Sequence, residues 1–295
     1  MIDSAFLATF LQYIFNGVVL GSIYAILGAG LALIYGISRI ANFAQGSFLV
    51  IGAYATYFIF NLLVREPLSS ILISFLIVFS LGALTDKFLL GTLRNKVTEW
   101  LAPAFILTTG LMLIIDTSVF LIWGGTYRNI REFYGGTLSL GPLSMSLDRI
   151  FILAFSLCVF IFLHIFLYKT DLGRAIRAVA QNREAASLMG IKIDQIHLIS
   201  FGIGAGLAAI AGGLILPIYS LYHKLGDEAL SPAFTVVILG GVGSIKGALI
   251  AAFILGVTES FITGYFGAGL AKIAFFMITI LILVVKPSGL MGVRP

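Results

Sequence analysis

Two carboxylates interrupt apolar stretches of this 295-residue chain and could take part in proton or solute chemistry. Asp116 lies within LMLIIDTSVF and Glu259 within LGVTESF. Ionisable side chains are costly inside hydrocarbon, so those that occur usually face neighbouring helices or a water-filled path. A carboxyl in such a place can also bind a proton, because burial disfavours its charged form. The two residues predict either a translocation pathway or interior hydrogen-bonding groups, and the sequence leaves both open.

Groupings that would perform catalysis or hold a metal do not occur in the sequence. The single cysteine and the three scattered histidines stand at spacings that fit neither a metal site nor an activated nucleophile. The segment GGVGSIKG superficially resembles a phosphate-binding loop, but Ile245 precedes its lysine where GxxxxGK[ST] requires glycine. We therefore expect no enzymatic activity, no metal site and no nucleotide or other cofactor bound by this chain.

Composition places these residues in a membrane. The chain is 60% hydrophobic and only 11% charged, with 25 phenylalanines and a mean hydropathy of +1.09. Apolar runs of about 20 residues recur, and a helix of that length crosses a hydrocarbon core of about 30 Å. Backbone groups in lipid must be satisfied internally, so these runs are predicted to be helices. The net charge of +5 does not indicate nucleic-acid binding, because basic residues of a membrane protein first report orientation.

We predict an all-α polytopic membrane protein with about eight transmembrane helices plus one broken or re-entrant segment. A single transmembrane domain would cover residues 1–295. The predicted helices are Phe10–Ile37, Phe48–Val64, Leu68–Leu90, Leu101–Trp123, Ile150–Tyr168, Ile196–Tyr219, Ala248–Tyr265 and Leu270–Val285.

The segments between these helices are predicted from turn residues and charge. A kink segment covers 38–47, and a basic loop with Arg94 and Lys96 precedes the fourth helix. The glycine-rich segment 124–148 predicts an external loop or a short hairpin. A loop at 220–231 precedes the apolar run 232–239, which is too short to span alone and predicts the broken helix.

A polar island at residues 169–195 separates the fifth and sixth helices. It carries five basic and three acidic side chains and many alanines, which favour helix. We predict one helix from about Gly173 to Met189, closed by Gly190 in a left-handed conformation. A helix held in water between two membrane helices indicates a contact surface for another protein.

Orientation follows from the basic residues, with Lys246 left unassigned. More lysines and arginines lie on the island's side of the predicted topology than on the other side. This bias predicts that the island and the C-terminus face the cytoplasm and that the N-terminus lies outside. An odd number of crossings must then follow the sixth helix, so the broken segment with its glycine turn has to take part.

Several motifs carry a family resemblance. The stretch EAASLMG at 184–190 fits the EAA–three residues–Gly signature of ABC importer permeases. The whole chain resembles the branched-chain amino acid ABC permeases of the LivH type, in register from end to end. The matching segments are GSIYAILGAGLALIYG, RIANFAQGSFLVIGAY, GRAIRAVAQNREAASLMG, VVILGGVGSIKGALI and KPSGLMG. Gln45 departs from the pattern, because the family usually has histidine there.

The resemblance implies a function and a set of partners. It implies a permease subunit of the cell membrane that forms half of the pathway for branched-chain or other small amino acids. Urea or a short amide is the alternative solute, and an ion-coupled secondary carrier using Asp116 and Glu259 is the alternative of a different class. The implied partners are a second homologous permease, making a heterodimer, two ATP-binding subunits that hold ATP and Mg, and an extracytoplasmic solute-binding protein.

The resemblance also implies two sets of site residues. Alanines and arginines of the island would pack against, and pair with, an acidic groove of the ATPase. The coupling candidates are Arg174, Arg177, Arg183, Glu184, Ala185, Ala186 and Gly190. By register, the candidates for the translocation pathway are Asn42, Phe43, Gln45, Asp116, Gly240, Gly241, Gly243, Ser244 and Glu259.

Overall fold

The computed structural model is a bundle of helices with one small hairpin, and it describes residues 2–97, 99–140, 143–286 and 288–291. Its helices are α1 Ile2–Ser38, α2 Gln45–Ile59, α3 Pro67–Thr85, α4 Gly91–Lys96, α5 Leu101–Trp123, α6 Leu147–Lys169, α7 Asp171–Gln181, α8 Arg183–Leu188, α9 Ile193–Ile215, α10 Leu225–Gly240, α11 Ile245–Phe266 and α12 Ala268–Val285. A π-helical turn, Phe60–Val64, extends α2, and a second, Asp86–Leu90, joins α3 to α4.

Eight helical stretches among the described residues are long and apolar enough to cross a membrane. The predicted all-α, multi-pass fold is therefore confirmed. α10, at 16 residues, is the shorter extra segment; at 1.5 Å per residue it reaches about 24 Å. Of the two structures predicted for 124–148, the hairpin occurs: β1 (Thr137–Leu140) pairs antiparallel with β2 (Leu143–Ser146).

The long helices α1 and α9 form the centre of the bundle. They are the most buried of the candidate spans, and they cross where two glycines meet. A Cβ on Gly30 would lie 2.7 Å from the Gly204 carbonyl oxygen, and a Cβ on Gly204 would lie 2.8 Å from the Gly30 oxygen. Small residues at such crossings let backbones approach closely, and close packing is the main attraction between helices in lipid.

The two halves of the bundle have the same arrangement in opposite directions. α1 runs towards the polar island and packs on α11, whereas α9 runs away from the island and packs on α3. The break 39–44 separates α1 from α2, and the break 216–224 separates α9 from α10. The short helices α2 and α10 begin beside each other, with Gly46 against Gly226. This arrangement is an inverted repeat, an architecture found in transporters.

The loop predicted at 220–231 is confirmed only for 220–224, because α10 begins at Leu225 and continues through Pro232. Asp227 and Glu228 lie in its first turn, where negative charge favours a helix start. Proline removes one backbone hydrogen bond from a helix, but transmembrane helices tolerate this where neighbouring groups compensate.

The predicted basic loop with Arg94 and Lys96 is also wrong. Both residues belong to α4, which continues the helix from the π-helical turn. The Arg94 guanidinium donates to both carboxylate oxygens of Asp86 at 2.8 and 3.1 Å, and both side chains are at most 2% exposed. An arginine that is neutralised by a bidentate pair can stay buried, and this pairing is not visible from charge counting.

The start of α3 supplies a first prediction. Glu66 precedes Pro67 and accepts hydrogen bonds from the Leu68 and Ser69 amides at 3.1 and 2.6 Å. Partial burial raises the pKa of Glu66, but the hydrogen bonds from Ser69 and Leu68 outweigh this effect and hold the pKa below its ordinary value. We expect Glu66→Ala to lower the free energy of unfolding by about 1 kcal/mol, as other helix caps do.

The sign of the pH dependence follows from the lowered pKa of Glu66. The stabilisation by ionised Glu66 is fully present above the ordinary glutamate pKa. It is lost as pH falls through the pKa that Glu66 has in the folded protein. Denaturation in detergent at neutral and acid pH measures the difference. Glu132→Ala, at an exposed glutamate, serves as control. If wild type and Glu66→Ala differ in free energy of unfolding as much at acid pH as at neutral pH, the capping role is contradicted.

Candidate functional site

The polar island forms two helices, so the single helix predicted from Gly173 to Met189 is wrong. The chain breaks at Asn182, whose backbone is extended (φ −153°). The Asn182 side chain accepts a hydrogen bond from the Ala185 amide at 3.0 Å and caps α8. Asparagine favours such caps because its carbonyl oxygen satisfies an amide that the helix leaves free.

Gly190 closes α8 in the predicted left-handed conformation, with φ +82°. The Gly190 amide donates to the Ser187 oxygen at 3.0 Å, and the Ile191 amide donates to the Ala186 oxygen at 3.1 Å. This pair of bonds is a Schellman motif, which reverses the chain directly after a helix. The reversal makes α8 the turning point of the island.

α7 is held against the bundle, whereas α8 projects from it. Ile176 and Val179 of α7 are buried, and Gly173 lies so close to α6 that a Cβ there would come within 2.1 Å of the Phe166 oxygen. Leu188 is 88% exposed and Met189 is 83% exposed. Large apolar side chains held in solvent at a tip indicate a contact surface.

Leu188 and Met189 were not among the coupling candidates drawn from the sequence. The feature that could have pointed to them is the presence of two large apolar residues at the end of a polar island. The sequence alone could not show that they point outward, since apolar residues of an amphipathic helix usually point inward.

The coupling candidates occupy different places in the island. Arg183, Glu184 and Ala185 are exposed on α8, while Ala186 is buried. Arg174 is exposed on α7 and pairs with Asp171. The Arg177 guanidinium instead lies 4.7 Å above the ring of Tyr168 and lines a cavity of the bundle.

Two pathway candidates, Asn42 and Gln45, brace the break between α1 and α2. Both are completely buried. The Gln45 amide nitrogen donates to the Gly204 oxygen at 3.0 Å, and the Gln45 oxygen accepts from Asn42 at 3.3 Å. Asn42 Oδ1 accepts from the Ala44 amide at 3.1 Å. Asn42 thus satisfies a backbone amide that the break leaves free, while Gln45 links the start of α2 to α9.

Asp116 belongs to a polar cluster where α5 meets the starts of α2 and α10. Its Oδ1 accepts a hydrogen bond from the Ser47 hydroxyl at 2.9 Å. Its Oδ2 lies 3.6 Å from the Lys224 ammonium, which in turn lies 3.1 Å from Asp227. The carboxylate is buried, whereas Lys224 is half-exposed. This cluster therefore offers both signs of charge at one place.

Phe43 lies in the break between α1 and α2 and belongs to a group of three aromatic rings. Its ring contacts Phe105 of α5, with centroids 4.7 Å apart, and Phe234 of α10, with centroids 4.9 Å apart. Phe105 precedes Asp116 by 11 residues on α5, about 16 Å along the helix, so the aromatic group and the charged cluster lie at different levels of α5.

The glycine turn after α10 lies at the other end of α10 from the Asp116 cluster. Gly241 and Gly243 have φ of +101° and +82°, and the Ser244 hydroxyl accepts from the Gly247 amide at 3.1 Å to cap α11. Gly240 packs closely against Gly247, because a Cβ on Gly240 would lie 2.4 Å from the carbonyl carbon of Gly247. The turn packs helices together at the island end.

Glu259 forms a separate polar group on α11. Its carboxylate interacts with the phenols of Tyr24 and Tyr219. The group borders a cavity of about 200 Å³ that Arg149 and Asn16 also line, and Arg149 donates a hydrogen bond to Asn16. The structure does not bring Glu259 together with Asp116.

The architecture defines the class of this protein first. It is a multi-pass α-helical membrane protein built from an inverted repeat, in which α2 and α10 begin beside each other. Solute transporters have this construction. Residues 13–285 match the family described as branched-chain amino acid transport system / permease component, and the chain belongs to this family.

Relatives of known name agree with the family match. The chain is 32% identical to the high-affinity branched-chain amino acid transport system permease protein LivH of Salmonella typhimurium, over 97% of this chain and 96% of that protein. It is 31% identical to BraD of Pseudomonas aeruginosa, which bears the same description, over 97% and 96% of the two chains. It is 30% identical to a probable LivH of Methanocaldococcus jannaschii, over 94% and 91%. All three are named as permease proteins.

A solved structure shares the fold. PsaBC from Streptococcus pneumoniae, in complex with Fab, superposes with a TM-score of 0.54 at 12% identity, over 98% of this chain and 97% of that one. At this identity the likeness concerns the fold alone.

Proposed function

We propose that this chain is the integral-membrane permease subunit of an ATP-binding-cassette importer and forms half of the pathway for branched-chain or other small amino acids. The observation that carries the proposal is the projecting α8, whose apolar tip of Leu188 and Met189 lies exposed beyond a bundle of transporter architecture. The family's description and the names of the relatives support the same conclusion.

Coupling to the ATPase would act through the island. The tip and the charged residues Arg183 and Glu184 would dock into a separate subunit that holds ATP and Mg. α7 would transmit movement of the tip, because its packing against α6 leaves no room for independent motion at Gly173. ATP-driven closure would then shift the bundle between two access states that differ in their contacts with the ATPase.

The charges beside the broken helices favour an amino acid over urea or a short amide. An amino acid carries an ammonium and a carboxylate, and Asp116 and Lys224 present the opposite charges where α2 and α10 begin. Asp116 Oδ2 lies 3.6 Å from the Lys224 ammonium, beyond hydrogen-bonding distance. The ammonium of a bound amino acid could therefore donate to this oxygen. Uncharged solutes would not need these two groups.

The remaining partners and the orientation follow from the same proposal. A second homologous permease would complete the pathway as a heterodimer, two ATPase subunits would bind at the island, and a solute-binding protein would deliver the solute at the opposite end. The island and the C-terminus would face the cytoplasm and the N-terminus the outside of the cell membrane.

Reconstitution tests the proposed function. The chain is assembled in liposomes with its second permease, its ATPase subunits and its binding protein, and uptake of labelled leucine is measured with and without ATP. We expect uptake to require ATP and every partner. Uptake by the chain alone, driven by an ion gradient, would overturn the proposal in favour of a secondary carrier that uses Asp116 and Glu259.

Asp116 supplies a second prediction. Asp116→Asn keeps an oxygen for the Ser47 hydroxyl but removes the charge, so we expect ATP-driven leucine uptake to fall about tenfold, as for a lost hydrogen bond to a charged group. Glu132→Gln, at an exposed site, should transport normally. Wild-type uptake by Asp116→Asn would exclude this carboxylate from the pathway.

A further inference from the structure

A cavity of about 470 Å³ lies at the island end of the bundle, away from the Asp116 cluster. α1, α6, α7 and α11 enclose it together with the turn 241–244. Its walls are apolar, with side chains of α6, α1 and α11 facing one another. They include Leu33, Phe160, Leu163, Leu167 and Leu249.

Basic side chains from three helices and from the break after α1 converge on this cavity. Arg39 follows α1, His164 lies on α6, Arg177 on α7 and Lys246 on α11; among the described residues of the lining none is acidic. The Arg177 guanidinium and the Lys246 ammonium approach the same ring, that of Tyr168, at 4.7 and 5.5 Å. A ring face attracts cations but does not neutralise them, so like charges accumulate here without a counter-charge.

Arg177 also has an unsatisfied donor. Its Nη1 atom is buried and has no hydrogen-bond partner within the described part of the chain. A buried donor without an acceptor is costly, and a guanidinium group suits the paired oxygens of a phosphate. The cavity therefore combines excess positive charge, a free buried N–H and apolar walls.

We propose that this cavity binds the phosphate headgroup of an anionic phospholipid from the leaflet at the island end, with an acyl chain lying along α6. Phe160, Leu163 and Leu167 of α6 supply the apolar wall that the acyl chain would follow. α11 begins at the cavity with Ser244 and Lys246, and the positive end of a helix dipole adds to the attraction for an anion. Basic pockets between membrane helices at the lipid headgroup level suit this ligand.

The lipid phosphate would tie the island helix α7 to α1 and α11, which already pack on each other. It would link Arg177 of the island helix α7 to Lys246 of α11 and Arg39 after α1. Arg39 also contacts α7 through a 3.5 Å hydrogen bond to the Ala180 oxygen. This site does not depend on the proposed transport function.

Native mass spectrometry of the full chain tests the site. The protein is released from vesicles of phosphatidylglycerol and phosphatidylcholine, and the retained lipid is identified and titrated. We expect retained phosphatidylglycerol, and at least about tenfold weaker retention for Arg177→Gln combined with Lys246→Gln. Arg174→Gln and Lys169→Gln remove exposed charges of the same end and should keep wild-type retention.

Further variants and competitors separate the possible outcomes. Arg177→Lys combined with Lys246→Arg keeps the charges and should keep the lipid, which guards against a folding defect in the glutamine variant. Thermal unfolding in pure phosphatidylcholine should be similar for all variants. Equal retention of phosphatidylcholine, equal loss in the Arg174→Gln control, or displacement of the lipid by millimolar inorganic phosphate would each overturn the proposal.

Discussion

Replacing Leu188 and Met189 together by aspartate is expected to reduce ATP-driven uptake by about a hundredfold or more. Each side chain is more than four-fifths exposed at the tip of α8, so neither contributes to the folded bundle. In a docked complex both would be buried, and losing two buried apolar anchors at the centre of an interface costs several kcal/mol. The added charges would also remain without partners in the contact.

The measurement is uptake in liposomes together with retention of the ATPase subunits during purification. Leu62 and Leu63 form a matched control, because this adjacent pair is 75% and 76% exposed at the end of α2, opposite the island. Changing that pair to aspartate should leave ATPase retention unchanged. If the doubly substituted tip still retains the ATPase and supports normal uptake, α8 is not the docking element.

Gly46→Ala is expected to destabilise the folded chain by about 3 kcal/mol, at the upper end of the usual cost of overpacking. A Cβ at Gly46 would lie 2.4 Å from the Gly226 carbonyl oxygen, where α2 and α10 begin side by side. Both contacting groups are backbone, so no side chain can rotate away. The helices would have to separate, and the polar cluster of Ser47 and Lys224 would separate with them.

Gly110→Ala is the matched control for this change. Gly110 lies within α5, and a Cβ there meets no described atom within 4 Å. Alanine in a helix interior is favoured over glycine by about 0.5–1 kcal/mol, so this variant should be as stable as wild type or slightly more stable. Thermal and denaturant unfolding of the purified chain in detergent compares the two. Equal stabilities would show that the half-helices are not in close contact at Gly46.

Much of the fold was predictable because hydrocarbon imposes a length on every spanning helix. The prediction of 101–123 as a helix agrees with α5 residue for residue, and the other spans differ mainly at their ends. The broken segment was expected from the short apolar run after Pro232, although its start was not. The predictions that failed relied on local signals that tertiary contacts override. Arg94 was predicted to lie in a loop because it is charged, but its ion pair with Asp86 allows it to be buried in a helix.

The site was predictable only in part, and unevenly. The motif at 184–190 located the island's tip, and Gly190 has the left-handed conformation that its position predicted. The direction of each side chain was not predictable, because Arg174 and Arg177 belong to the same helix and yet differ in surroundings. Arg174 pairs with Asp171 in solvent, whereas Arg177 stacks on Tyr168 in the cavity.

By itself, the sequence determined the membrane class, the number of spans and the presence of a polar island, since these depend on run length, hydropathy and charge along the chain. Tertiary structure alone decided which residues share a site. The pairing of Gly46 with Gly226, the cluster of Ser47, Asp116 and Lys224, and the cavity of Arg177 and Lys246 join residues far apart in sequence. Such groupings depend on how helices cross, and crossing is set by close packing of small residues that no local pattern reveals.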